Sequence, residues 1–198
     1  MKKVVSSQHS PKDKQLVQKK SRLSLILLLL AFVLPIALAK LALEFKWLDY
    51  GVTNQGILVS NELSLNQLGL GDVDFEQKWL IIYALPADCD HHCENTLENV
   101  HNTYVALGKE MPRVMPVALL RAPLSNVQQN RVNQSKWHVL SMPEQAKKII
   151  DHSQILLVDP LGNIFITHEI PDNDQALTRL GKKIIADMKK VLKYSRIG

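Results

Sequence analysis

The chain contains two cysteines, Cys89 and Cys93, with three residues between them. A pair at this spacing can exchange a disulfide with thiols of another protein, and in its reduced form it can bind a soft metal ion such as Cu(I). Two cysteines are too few for a disulfide-stapled scaffold, and a chain of 198 residues does not need one. We therefore favour a chemical role for the pair, with a structural disulfide as the alternative.

The residues around the pair predict a strand-to-helix turn. Trp79 to Tyr83 form an apolar run typical of a buried strand, and from Cys93 to Gly108 apolar residues recur at the spacing of an amphipathic helix. Both sulfurs would then lie at a helix N-terminus, where unpaired N–H groups and the helix dipole favour thiolate over thiol. Such a position makes cysteines good nucleophiles and good metal ligands.

The chain after this helix predicts a second strand and a short helix. Arg113 to Leu120 form an apolar strand, with Pro116 suited to an edge or a bulge. Residues 121–136 are polar and predict a loop or an irregular helix. Ser141 is placed to cap a short helix that ends near Ile150.

The C-terminal third predicts a β-hairpin and a final helix. Ile155 to Val158 and Ile164 to Thr167 are rich in β-branched residues and surround the turn sequence Asp159-Pro-Leu-Gly-Asn163. The final helix, from Asp172, has an apolar stripe on one face and mostly lysines opposite. The stripe comprises Leu177, Leu180, Ile184, Ile185, Met188 and Leu192. This order of elements predicts an α/β fold, a mixed sheet flanked by helices.

An apolar segment near the N-terminus predicts a membrane anchor. Residues 1–22 carry seven basic side chains against Asp13 alone, whereas residues 23–43 have Lys40 as their only charge and are long enough to cross a bilayer. The positive-inside rule then places residues 1–22 in the cytoplasm and the following domain across the membrane. A cleaved signal peptide, with its site at Ala37 to Ala39, is the alternative.

The part of the chain beyond the anchor is predicted to be a juxtamembrane stalk, residues 44–60, and one domain, residues 61–198. Residues 23–198 carry 17 basic against 18 acidic side chains, so the basicity of the chain belongs to its N-terminal flank. Because the predicted domain is close to neutral, the charge does not indicate nucleic-acid binding.

Three short motifs resemble the Sco/SenC family of copper-handling proteins of cytochrome c oxidase assembly. They are Cys89-x3-Cys93 after an apolar strand, Asp151-His-Ser153 at the start of another strand, and Asp159-Pro-Leu-Gly162 at its turn. The resemblance extends from the region of Gly56 to the C-terminus and implies a thioredoxin-like fold. Asp90 and Glu94 follow the cysteines where family members usually carry proline. The chain therefore resembles a divergent member of the family.

The resemblance also implies a function. Cys89, Cys93 and His152 would be ligands of copper, as Cu(I), Cu(II) or both, and the two cysteines would be a redox pair. The protein would deliver copper, or keep thiols reduced, rather than act as a conventional enzyme. Its partner would be the oxidase subunit that carries the binuclear copper centre. The domain would face the periplasm from a single-pass anchor in the bacterial inner membrane.

Two other functions fit the same residues. A thiol–disulfide oxidoreductase without metal would use Cys89 and Cys93 alone, and a non-catalytic assembly scaffold would keep them locked in a bridge. A structural role, in the core or capping the hairpin, is the alternative for His152. The other histidines of the predicted domain are expected at the surface. They are His91, His92, His101, His138 and His168.

Overall fold

The computed structural model describes residues 11–44, 54–59 and 63–197. The chain divides into two units, Met1–Thr53 and Asn54–Gly198. Most of the predicted stalk, residues 45–53 and 60, lies outside the described residues, as do residues 61 and 62 at the start of the predicted domain.

The described residues of the first unit form one helix, α1 (Pro11–Glu44). Its stretch Ser24–Ala42 has a mean hydropathy of 2.7 and is long enough to cross a membrane. The helix begins at Pro11, so part of the predicted basic tail continues it toward the N-terminus. Pro35 lies inside the apolar stretch, where membrane-spanning helices tolerate proline.

The second unit is built on a six-stranded mixed sheet with the strand order β1-β6-β5-β2-β3-β4. The strands are β1 (Ile57–Leu58), β2 (Trp79–Ala84), β3 (Val114–Leu120), β4 (His138–Ser141), β5 (Gln154–Val158) and β6 (Ile164–Glu169). The helices are α2 (His91–Val105), α3 (Asn126–Gln134), α4 (Glu144–Ile149) and α5 (Asp174–Tyr194), with a short 3-10 helix at Gly108–Arg113. Strand β2 pairs in parallel with β3 and antiparallel with β5, and it leads directly into the cysteine turn.

Strand β2 is buried because its side chains enter two separate cores. Trp79, Ile81 and Tyr83 pack with residues of α2 and α5 on one face of the sheet. Leu80, Ile82 and Ala84 pack on the other face with α4 and with residues between Leu65 and Phe75. A strand enclosed on both faces needs an unbroken apolar sequence, which explains why this run is recognisable in the sequence.

The structure confirms the predicted central strand, the β-hairpin and the final helix, and it corrects the predicted cap of the short helix. Pro116 lies in β3, an interior strand, but the pairing of β4 with β3 begins only at Val117. The proline therefore stands where β3 is locally an edge. Ser141 ends β4, and Pro143 immediately precedes α4, so the predicted Ser141 cap is wrong.

Residues 121–136 were predicted as a loop or an irregular helix, and within them Asn126–Gln134 form helix α3. Ser125 and Gln128 make a capping box at its start, a pattern that the sequence contains. Strand β4, which follows α3, was not predicted. It has four residues and none of them is fully buried, so it gives no alternation of apolar and polar residues to detect.

Candidate thiol–disulfide site

Cys89 and Cys93 form a disulfide, and their Cα atoms are 5.1 Å apart. As predicted, the pair lies between the end of β2 and the N-terminus of a helix. Cys93 is in the first turn of α2 and is only 2% exposed, whereas Cys89 precedes the helix and is half-buried. Cys89 is therefore the sulfur that a partner protein can reach, and Cys93 is protected.

Asp90 caps the N-terminus of α2. Its carboxylate accepts a hydrogen bond from the Cys93 N–H at 2.9 Å. The helix therefore begins at His91, two residues before its predicted start. A carboxylate beside the sulfurs disfavours thiolate, whereas the helix N-terminus favours it. Asp90 thus stabilises the turn and opposes thiolate formation within it.

Helix α3 holds the cysteine turn from outside. The Gln128 amide donates hydrogen bonds to the Cys89 carbonyl oxygen at 2.8 Å and to a Glu94 carboxylate oxygen at 3.0 Å. Arg131 pairs with the Glu94 carboxylate at 2.7 Å. The Gln128 side-chain oxygen accepts from the Ser125 N–H at 3.0 Å. One glutamine therefore connects the start of α3 to the backbone of Cys89.

Gln128 and Arg131 are site residues that the sequence patterns did not indicate. The capping signal at Ser125 would have located α3. Nothing in the local sequence shows that this helix packs against a turn more than thirty residues earlier in the chain.

His152 lies just before β5, at the end of the sheet where β2 terminates. The Ser153 hydroxyl donates to the Ala84 carbonyl oxygen at 3.0 Å, and Gln154 pairs with Ala84 in the sheet. The His152 side chain is 57% exposed and hydrogen-bonds to the Asp151 carboxylate, which lowers the pKa of that carboxyl group. Within the described residues, no group of three or more His, Cys, Asp or Glu side chains is arranged to hold a metal ion. The structure therefore joins the two cysteines and leaves His152 outside a ligand cluster with them.

Tyr83, near the end of β2, connects the two segments of the site. It is 1% exposed, and the Ser153 and Thr96 hydroxyls act on its phenol as hydrogen-bonding groups that lower the pKa. Burial raises the pKa of the phenol, and these hydrogen bonds act in the opposite direction. Thr96 in turn donates to the His92 carbonyl oxygen at 2.9 Å. Tyr83 thus links the segment that carries His152 to the first turns of α2.

Four other histidines of the domain are exposed or half-buried. His91 is exposed, and the half-buried His92 lies 3.4 Å from the Asp174 carboxylate. His101 is half-buried on α2, and His138 is half-buried in β4, with its ring against Phe75 at 5.9 Å between centroids.

The prediction that His168 lies at the surface is wrong. Its side chain is buried, and Nε2 lies 3.2 Å from Asp187 Oδ2. His168 lies two residues after Ile166, which packs in the same core as the apolar stripe of α5, so it faces α5, where Asp187 interrupts that stripe. This spacing was the signal in the sequence that should have placed His168 inside.

Asp187 also binds the backbone at the start of the domain. Its carboxylate accepts hydrogen bonds from the Gln55 N–H at 2.9 Å and the Gly56 N–H at 3.0 Å. Burial lowers the pKa of His168, and the nearby Asp187 charge partly offsets this effect. We call His168 and Asp187 the buried polar cluster; the Gln55–Gly56 backbone that bonds to Asp187 is less buried.

The fold and the cysteine turn define the class of protein. It is a thioredoxin-like domain with a disulfide at the N-terminus of the helix that follows a central strand, preceded in the chain by one apolar helix. The family described as transmembrane-like, thioredoxin-like, C-terminal domain matches residues 79–195, more than half of the chain. The chain therefore belongs to this family, and the apolar helix α1 together with the family's description indicates a single-pass membrane anchor.

Solved structures similar to this chain include two Sco proteins and a thiol:disulfide interchange protein. Apo Sco1 from Thermus thermophilus is 15% identical, with a TM-score of 0.48 over 70% of this chain and 97% of that one. A thiol:disulfide interchange protein from Bacteroides sp. is 18% identical, with a TM-score of 0.42 over 71% and 86%. Arabidopsis thaliana ScoI with copper bound is 19% identical, with a TM-score of 0.41 over 55% and 84%. No curated protein matches the chain by sequence.

Proposed function

We propose that the protein is a membrane-anchored, Sco-like thiol–disulfide protein of cytochrome c oxidase assembly. The observation that carries the proposal is the Cys89–Cys93 disulfide at the N-terminus of α2, with one reachable and one protected sulfur. In its dithiol form the pair would keep the cysteines of the oxidase's binuclear copper centre reduced, so that copper can enter.

The exchange follows the ordinary chemistry of thiols. The Cys89 thiolate attacks one sulfur of the target disulfide, and the other target sulfur leaves as a thiolate and takes up a proton. The Cys93 thiolate then attacks the Cys89 sulfur of the mixed disulfide and releases the second target thiol. Two electrons pass to the target, and the protein ends as the Cys89–Cys93 disulfide. A dithiol reductant must then restore the reduced pair.

The proposed topology has residues 1–22 in the cytoplasm, residues 23–43 in the bacterial inner membrane, residues 44–60 as a stalk, and residues 61–198 as the periplasmic domain. The basic flank supports this orientation through the positive-inside rule.

Copper delivery is the second candidate function. The observation that favours it is the position of His152 just before β5, beside the end of β2. Strand β2 leads from there into the cysteine turn. Once the disulfide is reduced, the Cys89 and Cys93 thiolates and the His152 imidazole are a soft donor set suited to copper as cargo. His152 would first have to leave Asp151, its present hydrogen-bond partner.

Trapping of the mixed disulfide tests the first candidate. The full chain in detergent is reduced and mixed with an oxidised two-cysteine peptide from the oxidase copper centre. Cys93→Ser should accumulate a mixed disulfide through Cys89, whereas Cys89→Ser should not, because Cys93 is buried. If neither variant forms the adduct and the wild-type disulfide resists reduction, the pair is structural and the protein is a scaffold.

Copper titration of the reduced full chain separates the two candidates. Copper delivery predicts binding of one Cu(I) per chain that is lost in both cysteine variants and weakened by His152→Ala. His138→Ala, at the half-buried histidine of β4, is the control and should bind normally. If His152→Ala binds copper as well as wild type, the third-ligand assignment is wrong. If it also reduces the peptide normally, the redox function stands alone.

A further inference from the structure

The last helix of the domain has a charge opposite to that of the rest. Residues 174–197 carry seven basic side chains against Asp174 and Asp187, a net charge of +5. Residues 54–173 carry eight basic against fourteen acidic side chains, a net charge of −6. The near-neutral domain therefore has one strongly positive surface. Its charge acts on partners within a Debye length of about 8–10 Å.

The basic side chains of α5 share one face. Those at positions 182, 183, 189, 190 and 193 are exposed lysines, on the side of the helix opposite the buried apolar stripe. Among the described residues, no carboxylate lies within 4.0 Å of Lys182, Lys183 or Lys189. These five lysines and Arg196 are called the α5 basic patch.

The C-terminal end of the patch also presents apolar side chains. Tyr194 is 77% exposed and Ile197 is 55% exposed, and the Lys193 Nζ lies 5.4 Å from the centroid of the Tyr194 ring. Arg113 fixes this end by donating to the Ser195 and Ile197 carbonyl oxygens at 3.0 and 2.8 Å. An aromatic and an aliphatic side chain exposed among lysines are typical of proteins that bind the membrane interface.

The first described residues of the domain also contact this helix. The Lys190 Nζ donates to the Asn54 side chain at 3.2 Å, and Asp187 accepts from the Gln55 and Gly56 N–H groups. Only residues 45–53 separate the end of α1 from this entry point. Nine residues reach at most about 35 Å when fully extended, so their number limits how far α5 can lie from a bilayer that α1 crosses.

We propose that the α5 basic patch docks on anionic phospholipid headgroups of the membrane that holds α1, with Tyr194 and Ile197 in the interfacial layer. An acidic protein surface would suit the charge as well. Lipid is favoured because the exposed apolar side chains and the entry of the tether occur on the same helix as the charge.

Docking through the C-terminal end of α5 leaves the disulfide accessible. Helices α2 and α5 run side by side, with Asn95 bonded to Asp174 at 3.1 Å and Thr103 against Gly181. Their N-termini therefore lie at the same end, next to the cysteine turn. The 21 residues of α5 span about 31 Å, so Tyr194 lies far from Cys89. The patch begins at Lys182, so about 12 Å of helix separates it from the end of α5 that lies next to the cysteine turn.

Lysine acetylation followed by mass spectrometry tests the docking with the full chain. The protein is placed in bilayer discs of phosphatidylcholine alone or with one third phosphatidylglycerol. Acetylation of Lys182, Lys183, Lys189 and Lys193 should be about fivefold slower in the anionic discs, and high salt should remove the difference. Lys136 and Lys148, exposed lysines outside α5, should react equally in both discs.

Two matched double variants complete the test, with Lys182 and Lys193 as reporters. K183Q/K189Q should reduce their protection, whereas K136Q/K148Q removes the same charge elsewhere and should leave it intact. Equal acetylation of the reporters in both kinds of disc overturns the proposal. Protection that occurs in native membranes but not in anionic discs also overturns it, because an acidic protein then covers the patch.

Discussion

Two groups of polar side chains in this domain are built in opposite ways. Around the cysteine turn, Glu94, Gln128 and Arg131 form a hydrogen-bonded group at the surface, and the Arg131 side chain is 64% exposed. In the buried polar cluster, His168 is 3% and Asp187 2% exposed. Water can replace a lost contact in the first group but not in the second, so the two should respond differently to the same kind of mutation.

The two groups also connect different parts of the chain. Gln128 joins one turn to one neighbouring helix. Asp187 joins α5 to β6 and to the first residues of the domain, which lie more than 130 positions earlier. We therefore expect changes in the buried polar cluster to alter global stability, and changes around the cysteine turn to alter reactivity.

The largest expected effect is that of Asp187→Ala. It leaves the Gln55 and Gly56 N–H groups and His168 without their carboxylate, and each buried polar group that is left unsatisfied costs about 1–3 kcal/mol. Urea unfolding of the full chain in detergent, followed by tryptophan fluorescence, measures the change. Glu169→Ala, at an exposed carboxylate that ends β6, is the control. Equal midpoints for the two variants would contradict the structural role of the cluster.

Gly56→Ala should destabilise the same cluster by overpacking. A Cβ at this position would lie 2.5 Å from Ile166 Cγ2, 2.7 Å from the Thr167 carbonyl oxygen and 2.8 Å from His168 Cε1. Two of these neighbours are fixed in the sheet, so we expect a loss of about 1–3 kcal/mol. At Gly71 the closest atom is the mobile end of the Asn66 side chain. Gly71→Ala should cost less, and the reverse order would show that the Gly56 region adjusts freely.

The pH dependence of stability should reveal the state of His168. Its folded pKa is below the ordinary 6.5, so as pH falls the unfolded chain takes up the proton first. The free energy of unfolding should therefore decrease below about pH 6.5. Asp187 and Lys183 are the charged groups that act on this ring, and Asp187 opposes the shift.

Two histidine variants isolate this contribution. His168→Gln should flatten the dependence in urea titrations between acidic and neutral pH, while His138→Gln, at a half-buried histidine, should not. If wild-type stability instead rises as pH falls from neutral, His168 is stabilised as the cation.

The sequence predicted those parts of the fold whose burial is regular. Strand β2, the hairpin and the apolar stripe of α5 each repeat a simple period, and the cysteine turn follows directly from its flanks. The contacts of α3 with the cysteine turn and of Asp187 with Gln55 depend on tertiary packing, which no local period encodes. His168 is a residue that the sequence could have placed correctly. Its spacing of two from Ile166 indicates a buried position, but the prediction followed its polar side chain and placed it at the surface.

The smallest expected effect on stability, with a clear effect on chemistry, is that of Gln128→Ala. The variant removes the donors to the Cys89 carbonyl oxygen and to Glu94, both at a solvated surface, so the loss of stability should stay below about 1 kcal/mol. The cysteine turn would be less well positioned, and the rate at which reduced Cys89 attacks a disulfide peptide should fall about threefold.

Gln129→Ala is the matched control, because the Gln129 side chain bonds only to Asn133 on the same helix and does not reach the turn. A stopped-flow assay of peptide reduction, together with urea unfolding, measures both quantities on each variant. If Gln128→Ala unfolds as early as Asp187→Ala, the cysteine turn is part of the stability core and the contrast between the two groups fails. If both glutamine variants react at the wild-type rate, α3 covers the turn without positioning Cys89.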